Sequence, residues 1–218
     1  MKNQNNYVAK EGWLLITILA IASAGFFVAG FFGQTMYYEG GFFLFCALFT
    51  AYFFRNPYRA IDTDERSVVA PADGKVIKVE PCHESDLLNA DTILISIFMN
   101  VFNVHINRVP ISGKIDNIKY HEGKFVNASF DKASTDNERL AMLIRTKDDK
   151  LVMAVQIAGL IARRIVSYVR KGDEIEKGKR YGLIRFGSRL DVYMPKDSEI
   201  VAKVGQKIKA GEVLGYLR

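Results

Sequence analysis

A glycine and a serine interrupt a strand-like stretch near the end of this 218-residue chain. The letters RYGLIRF run into Gly187, Ser188 and Arg189 and then into LDVYMP, so a small, flexible pair breaks a β pattern. Taken alone, the pair predicts a turn or a bulge. A serine hydroxyl is a useful nucleophile near neutral pH only when a base lies within hydrogen-bonding reach. Three histidines could supply such a base: His83, His105 and His121.

Two other polar residues have plain structural interpretations. Asp73 lies in PADGK, where an aspartate before a strand is typical of a turn because its side chain bonds to the backbone. His105 is flanked by apolar residues, a setting typical of a core histidine with satisfied ring nitrogens. Residue type and position alone leave these interpretations open beside a catalytic one.

The region that must position these residues is a predicted mostly β domain over residues 56–218. Short runs rich in β-branched residues are separated by Gly, Pro, Asp or Asn, and these runs are SVVAP, GKVIKVE, TILISIFM, KLVMAVQIAG and RLDVYMP. A length of about 160 residues suits one domain.

A glycine pattern supports the β interpretation. Three glycines recur at the same spacing thirty-three residues further along: Gly172, Gly178 and Gly182, then Gly205, Gly211 and Gly215. Stacked hairpins need such glycines because tight turns require positive φ. The pattern resembles the barrel-sandwich fold of lipoyl and biotinyl domains. A lipoyl carrier would also need an exposed lysine between small or apolar residues at a hairpin tip, and no convincing one is present, so the repeat predicts fold rather than function.

Two apolar runs precede this domain. The first, WLLITILAIASAGFFVAGFF at residues 13–32, has no charge, and as a helix of about 30 Å it would span a bilayer's hydrocarbon core. The second, residues 41–54, is shorter at about 21 Å and must extend backward, thin the bilayer or lie partly in the interface. We therefore predict a membrane anchor over residues 1–55, with one or two transmembrane helices at about 13–33 and 37–54.

Basic residues flank the two runs but not their connector. Lys2 and Lys10 precede the first run, Arg55 and Arg59 follow the second, and GQTMYYEG between them has neither Lys nor Arg. The positive-inside rule predicts a hairpin with both ends in the cytoplasm, which places the β domain on the cytoplasmic face of the cell membrane. The competing interpretation is a cleaved signal peptide ending at residues 22–24, ASA, but the mature chain would then begin with the apolar GFFVAGFF.

Charge and cysteine content narrow the class of partner. The formal net charge of +6 and pI near 9.2 suit nucleic acid or an anionic membrane surface, and the apolar runs favour the membrane, so no nucleic-acid partner is predicted. Cys46 and Cys82 are the only cysteines, which excludes a disulfide framework. Because no metal-ligand spacing is present, we expect no metal.

Four longer motifs point to one family. They are APADGKV at 70–76, FNVHINRVPISGK at 102–114, YHEGKFVNASFDKASTDNERL at 120–140 and QIAGLIARRIVSYVRKGDEIEKGKRYGLIRFGSRLDVYMP at 156–195. Each resembles the corresponding segment of the compact bacterial and archaeal branch of the phosphatidylserine decarboxylases. Together the motifs cover most of the chain from about residue 55 onward.

The resemblance implies a proenzyme that cuts itself between Gly187 and Ser188. The products would be a β chain of residues 1–187 and an α chain of residues 188–218, held together as a heterodimer, with Ser188 converted into a pyruvoyl group. That group would be the cofactor, with no metal, and the reaction would turn phosphatidylserine in the membrane into phosphatidylethanolamine and carbon dioxide. A homo-oligomer is left open.

The same resemblance implies roles for further residues. Asp73 and His105 would act together with Ser188, and the phosphodiester of the substrate would meet basic side chains. Guanidinium groups bind phosphate in a fixed fork, so the candidates are Arg163, Arg164 and Arg189.

Three departures from the family's pattern bear on these roles. Arg108 stands where other branches carry a second histidine, Glu122 stands where relatives commonly have proline, and the cut reads Phe-Gly-Ser-Arg rather than Leu-Gly-Ser-Thr. His105 would then serve both maturation and decarboxylation, or His121 would take one of the two steps.

Two other functions fit parts of the sequence. A pyruvoyl-dependent decarboxylase could act on a different amine, and a non-catalytic barrel-sandwich adaptor on a membrane anchor would also explain the glycine repeat. The adaptor has no use for a bond that cuts itself.

Overall fold

The computed structural model describes residues 6–128, 133–160, 165–184 and 188–218. The chain divides into two compact units, Lys2–Pro57 and Tyr58–Arg218, which are described separately. Gly187, Arg163 and Arg164 lie outside the described residues.

The N-terminal unit is a hairpin of two helices, α1 (Lys10–Ala29) and α2 (Met36–Phe53). Phe26 stacks on Phe43 with ring centroids 5.2 Å apart, and a backbone bridge joins Val8 to Arg55, so the two ends of the hairpin lie side by side. Of the helices in the described residues, α1 is long and apolar enough to cross a membrane.

The second unit is almost entirely β, with one short helix, α3 (Ala133–Asp136). Its strands in chain order are β1 (Ser67–Val69), β2 (Gly74–Glu84), β3 (Ala90–Met99), β4 (Ile106–Arg108), β5 (Gly113–His121), β6 (Arg139–Arg145), β7 (Leu151–Ala158), β8 (Ile165–Ser167), β9 (Glu174–Ile175), β10 (Arg180–Ile184), β11 (Ser188–Pro195), β12 (Glu199–Ile200), β13 (Lys207–Ile208) and β14 (Val213–Tyr216).

These strands form one large sheet and two small ones. The large sheet has eight strands in the order β13-β2-β3-β11-β7-β6-β5-β9. The small sheets have three strands each, in the orders β1-β14-β12 and β4-β10-β8. All pairings between these strands are antiparallel, which suits a unit built from hairpins.

The sheet orders show that the unit is an internal duplication. One half, here called the continuous half, contains β4 to β10. The other, the split half, contains β1 to β3 together with β11 to β14. Reciprocal hydrogen bonds join the halves where they meet: the Val69 N–H donates to the Pro110 carbonyl at 2.9 Å, and the Arg108 N–H donates to the Pro71 carbonyl at 2.8 Å. Each half thus contributes the same local structure, related by an approximate twofold axis.

The glycine repeat of the sequence marks this duplication. The first two glycines of each copy have positive φ: Gly172 (92°), Gly178 (78°), Gly205 (90°) and Gly211 (97°). The strand between them, β9 in one copy and β13 in the other, forms an edge of the large sheet and pairs with β5 or β2 respectively. The prediction of a mostly β, barrel-sandwich-like unit with glycine-turn hairpins, preceded by apolar helices, is confirmed.

The large sheet has two faces with separate coverings. On its core face, Leu190 and Val192 belong to the main hydrophobic core beneath the small sheets. On its outer face, Val155 and Ile157 belong to a second apolar cluster. Because side chains alternate along a strand, neighbouring residues of β7 and β11 belong to opposite faces.

Candidate functional site

Ser188 begins strand β11 in the middle of the large sheet. It pairs with Met99 of β3 on one side and Ala158 of β7 on the other, and its side chain is fully buried. Two residues further along, Leu190 lies in the main core, so Ser188 shares the core face with it. The hydroxyl of Ser188 donates to the Met99 sulfur at 3.6 Å, a weak bond that leaves the oxygen available for chemistry.

His105 lies at the same end of the core. It immediately precedes β4, is 2% exposed, and its carbonyl accepts the Ile184 N–H at 3.4 Å. Ile184 belongs to the same small apolar cluster as Ala158, the neighbour of Ser188 in the sheet. Because four residues of chain span at most about 14 Å, Ser188 lies within that distance of Ile184 and at the same end of the core as His105.

One ring nitrogen of His105 has an assigned role. Its Nδ1 lies 3.0 Å from the Asn103 carbonyl, which can only accept, so Nδ1 carries the proton. The basic lone pair is therefore on Nε2, the form in which histidine acts as a general base.

Asp73 does not hydrogen-bond to His105 among the described residues. One carboxylate oxygen accepts from the Arg59 guanidinium at 2.5 Å, and the other accepts the Ala210 N–H at 2.9 Å. In the continuous half the matching residue is Ser112, whose hydroxyl accepts the N–H of Lys177 at 2.9 Å. Asp73 thus caps a glycine turn, as its counterpart does, and adds a charge that the counterpart lacks.

Arg108 stands close to this carboxylate. Its guanidinium donates to the Gly178 carbonyl at 3.0 Å. Burial, and then the neighbouring charge of Arg59, lower the pKa of the Arg108 guanidinium below its ordinary value, while Asp73 opposes the change. A guanidinium has no acceptor, so it cannot replace a second histidine as a base.

Arg189 lies on the outer face, opposite to Ser188. Its guanidinium is 1% exposed and donates to both carboxylate oxygens of Asp191, at 2.6 and 2.7 Å. Burial raises the pKa of Asp191, and the charge of Arg189 offsets part of that rise. Arg189 was predicted from the sequence as a candidate for the lipid phosphate, and here its guanidinium is enclosed and bound to Asp191.

His121 also belongs to the outer face. It pairs with Arg139, which pairs with Ile157, so it lies three strands from Ser188 and on the other side of the sheet. Its Nε2 lies 2.7 Å from Asp86, which Lys119 also binds. Burial raises the pKa of Asp86, but these hydrogen bonds outweigh it and leave the pKa below its usual range. The described geometry places His105 at the same end of the core as Ser188, and His121 on the other face of the sheet.

Two buried amides near the site were not predicted from the sequence. Gln156 of β7 donates to the Asn107 side-chain oxygen at 2.7 Å, and both residues are fully buried. The available signal was a glutamine inside the apolar run KLVMAVQIAG, on the same strand face as the core residues.

Metal ligands are not grouped in the described ranges: no three His, Cys, Asp or Glu side chains come together there. The two cysteines, Cys46 and Cys82, are both free thiols.

Comparison with known proteins agrees with the earlier resemblance. Residues 46–216 match the family model described as "Phosphatidylserine decarboxylase". A phosphatidylserine decarboxylase proenzyme of Syntrophus aciditrophicus is 55% identical over 165 residues, which is 76% of this chain and 78% of that protein. Proenzymes of the same name from Syntrophotalea carbinolica and Geobacter sulfurreducens are 47% and 46% identical, and each match covers 100% of both chains.

These matches, together with a buried serine and a histidine at one end of a duplicated β unit, define an enzyme of the decarboxylase class. The chain belongs to the phosphatidylserine decarboxylase family. Family membership confirms the predicted resemblance and the predicted enzyme class.

Proposed function

We propose that the chain is made as a precursor that cuts its own Gly187–Ser188 bond. It then converts phosphatidylserine into phosphatidylethanolamine and carbon dioxide with the pyruvoyl group left at residue 188. The observation that carries the proposal is the position of Ser188, which is fully buried at the start of a central strand, near the strand end that carries His105.

The first step exchanges an amide for an ester. The Ser188 hydroxyl oxygen attacks the Gly187 carbonyl carbon, the C–N bond breaks, and the hydroxyl proton passes to the Ser188 nitrogen. Glycine favours this step because, lacking a Cβ, it tolerates a bent backbone. His105 is the base that first accepts the proton, through Nε2, because its Nδ1 proton is held by the Asn103 carbonyl.

The second step breaks the ester by elimination. Loss of the Cα proton of residue 188 expels the new Gly187 carboxylate from Cβ and leaves dehydroalanine. Addition of water and loss of ammonia then give the ketone. Within the described part of the chain Asp73 forms no hydrogen bond to His105, so its contribution is to fix the glycine turn at Ala210 and to balance the charge of Arg59.

The two products of the cut stay together. Strand β11 lies between β3 and β7, and it pairs with β3 along all eight of its residues. Strands β13 and β14 of the same segment pair with β2 and β1. The strands of the short chain are therefore hydrogen-bonded to strands of the long chain, and the mature enzyme is a heterodimer of the two fragments.

The surroundings of Ser188 suit a reactive carbonyl. Met99 and Ala158 on either side are fully buried, so before the cut the core face there is shielded from bulk solvent. A pyruvoyl ketone supplies an electron sink for the pair of electrons that departing carbon dioxide leaves behind. The residues around it bind and orient the headgroup, and His105 is placed to return a proton to the product.

The anchor and the phosphodiester complete the proposal. The α1–α2 hairpin brings its two ends together through the Val8 to Arg55 bridge, and the basic residues Lys10 and Arg55 lie near them, which supports a cytoplasmic location for both ends. Arg163 and Arg164 remain proposed contacts for the lipid phosphate. If the hairpin has this orientation, protease added to sealed spheroplasts leaves the β unit intact, and digestion there would contradict it.

Intact mass and carbon dioxide release test the central proposal together. Purified protein should give two masses under denaturing conditions, a chain ending at Gly187 and a short chain with a ketone at its N-terminus. In detergent micelles it should release carbon dioxide from phosphatidylserine and hardly from free serine, because free serine lacks the binding energy of the phosphate and acyl chains. A single uncut mass in an active preparation, or equal turnover of free serine, would overturn the proposal.

A further inference from the structure

The pair of buried amides has unused hydrogen-bonding capacity. The Asn107 Nδ2 and the Gln156 Oε1 have no partner among the described residues, although both side chains are fully buried. Turning both amides over would exchange the roles, but one donor and one acceptor would still be left. Unpartnered polar groups are rare in protein cores and require an explanation.

The pair lies directly beside the proposed reaction centre. Gln156 pairs with Leu190, one pleat away from the Ser188 to Ala158 pair, so Gln156 and Ser188 are diagonal neighbours on one face, about 7–8 Å apart. Asn107 follows His105 by two residues, and both side chains are buried. The two amides therefore lie next to Ser188 and His105 along their strands.

The duplication shows that the fold does not require amides at these places. Asn107 pairs with Gly182, whose counterpart in the glycine repeat is Gly215. Gly215 pairs with Val68, so Val68 is the counterpart of Asn107 in the split half. Strand β7 of the continuous half corresponds to β11 of the split half, and the counterpart of Gln156 in β11 is Met194. Both counterparts are fully buried in the main core.

A structural amide in the same unit is satisfied. Asn137, also fully buried, donates to the carbonyls of Val126 and Ala158 and accepts the Val126 N–H, at 2.7 to 3.1 Å. Both polar atoms of its side chain, Nδ2 and Oδ1, are hydrogen-bonded within the fold. The contrast indicates that the spare donor and acceptor of Asn107 and Gln156 serve a molecule that is not part of the fold.

We propose that Asn107 and Gln156 recognise the amino-acid headgroup of the lipid. The inference rests on the proposed function, since the ketone that reacts with the headgroup amine forms only after the chain has cut itself beside Ser188. The side-chain Nδ2 of Asn107 donates to the headgroup carboxylate, and the side-chain Oε1 of Gln156 accepts from the headgroup amine before that amine reacts. The headgroup carboxylate is lost as carbon dioxide, so its negative charge decreases in the transition state. An arginine would therefore stabilise the ground state more than the transition state, whereas neutral amides bind the carboxylate less strongly.

The test replaces each amide with the residue that the other half uses, in the double variant Asn107→Val and Gln156→Met. It should cut itself like wild type and melt at the same temperature or higher, since unpartnered polar groups have been removed from the core. Its kcat/KM for phosphatidylserine should fall about 10- to 100-fold, the usual effect of losing a hydrogen bond to a charged group. A kcat/KM within twofold of wild type would overturn the inference.

A second readout separates recognition of the carboxylate from general damage. A lipid amine condenses with the ketone of residue 188 to an imine and water. Added cyanoborohydride then transfers hydride to the imine carbon and leaves a stable secondary amine, which the mass of the 188–218 chain reports. Asn107→Asp, which keeps the shape but repels a carboxylate, should couple phosphatidylserine about tenfold or more slowly and phosphatidylethanolamine, which has no carboxylate, at the wild-type rate. Equal slowing with both lipids would overturn the inference. A wild-type chain that neither cuts nor couples would instead overturn the proposed function.

Discussion

The split and continuous halves of the β unit share a backbone plan but place their buried polar groups differently. In the split half, Arg189 and Asp191 form an ion pair on the outer face of the sheet. In the continuous half, Asn107 and Gln156 form an amide pair on the core face. Each pair has apolar counterparts in the other half: Leu151 and Met153 for the ions, Val68 and Met194 for the amides.

The difference teaches which polar residues the fold needs for itself. The guanidinium of Arg189 is matched to the carboxylate of Asp191 by two hydrogen bonds, as a structural pair should be. In the amide pair, the Asn107 Nδ2 donor and the Gln156 Oε1 acceptor have no partner among the described residues. Each of these positions is occupied by an apolar residue in the other half, so the shared fold does not require a polar residue there. The Arg189–Asp191 pair stabilises its strand, and the Asn107–Gln156 pair binds a ligand.

The largest effect should come from Ser188, whose counterpart in the continuous half is Lys150, a residue beside a turn. Ser188→Ala removes the nucleophile, so we expect an uncut chain and no carbon dioxide release. Intact mass and a phosphatidylserine assay measure both. Ser198→Ala is the matched control, because Ser198 is also a buried serine of the short chain but lies outside the site, and it should cut normally. Cutting in Ser188→Ala would remove the serine from the mechanism.

The next effect should come from His105. His105→Gln keeps a polar, similarly sized side chain but no base, and we expect self-cutting to slow by about 10²- to 10⁴-fold. The measurement is the time course of precursor loss after synthesis. His83→Gln serves as control, because that histidine is exposed and bound to Asp91. If His105→Gln cuts at the wild-type rate yet releases no carbon dioxide, His105 belongs to decarboxylation alone.

The outer-face pair predicts a large change in stability with no change in chemistry. Arg189→Leu alone leaves the buried carboxyl group of Asp191 without its Arg189 partner, so the free energy of unfolding should fall by about 3–5 kcal/mol. Adding Asp191→Met copies the residues of the continuous half and should restore the stability, with normal cutting of the chain. Chemical denaturation and intact mass measure the two properties. A folded double variant that fails to cut would mean that the ion pair also positions Ser188.

The sequence predicted the strands, the turns and the serine, because alternation and glycine spacing are local signals. It could not predict that Arg189 is enclosed, although Asp191 two residues later lies on the same strand face and was a usable clue. The side of the sheet taken by His121 depends on a register shift between Ile115 and Asn117, which no local pattern reports. Asn107 and Gln156 are 49 residues apart and meet only because two sheets pack together.

The smallest effect concerns the polar contact that fastens a loop over the outer face. Asp86 binds Lys119 and His121, and the adjacent Leu87 and Leu88 cover the outer apolar cluster. The pKa of Asp86 is lowered in the folded chain, so its ionised form stabilises the fold above the unfolded value of about 3.9, and this contribution is lost as the pH falls through the lower, folded value.

Asp86→Asn should therefore lower the free energy of unfolding at pH 7 by less than about 1 kcal/mol, because solvent screens a partly exposed pair. The difference from wild type should shrink as the pH falls from about 5 and disappear below the lowered pKa of Asp86 in the folded chain, where its carboxyl group is protonated in both states. Denaturation curves at a series of pH values measure it, with the exposed Asp148→Asn as control. Self-cutting should be unchanged at pH 7, since Asp86 and Ser188 belong to opposite faces of the sheet. A stability difference that persists undiminished below that pKa would show that the loop is held by packing of Leu87 and Leu88 rather than by charge.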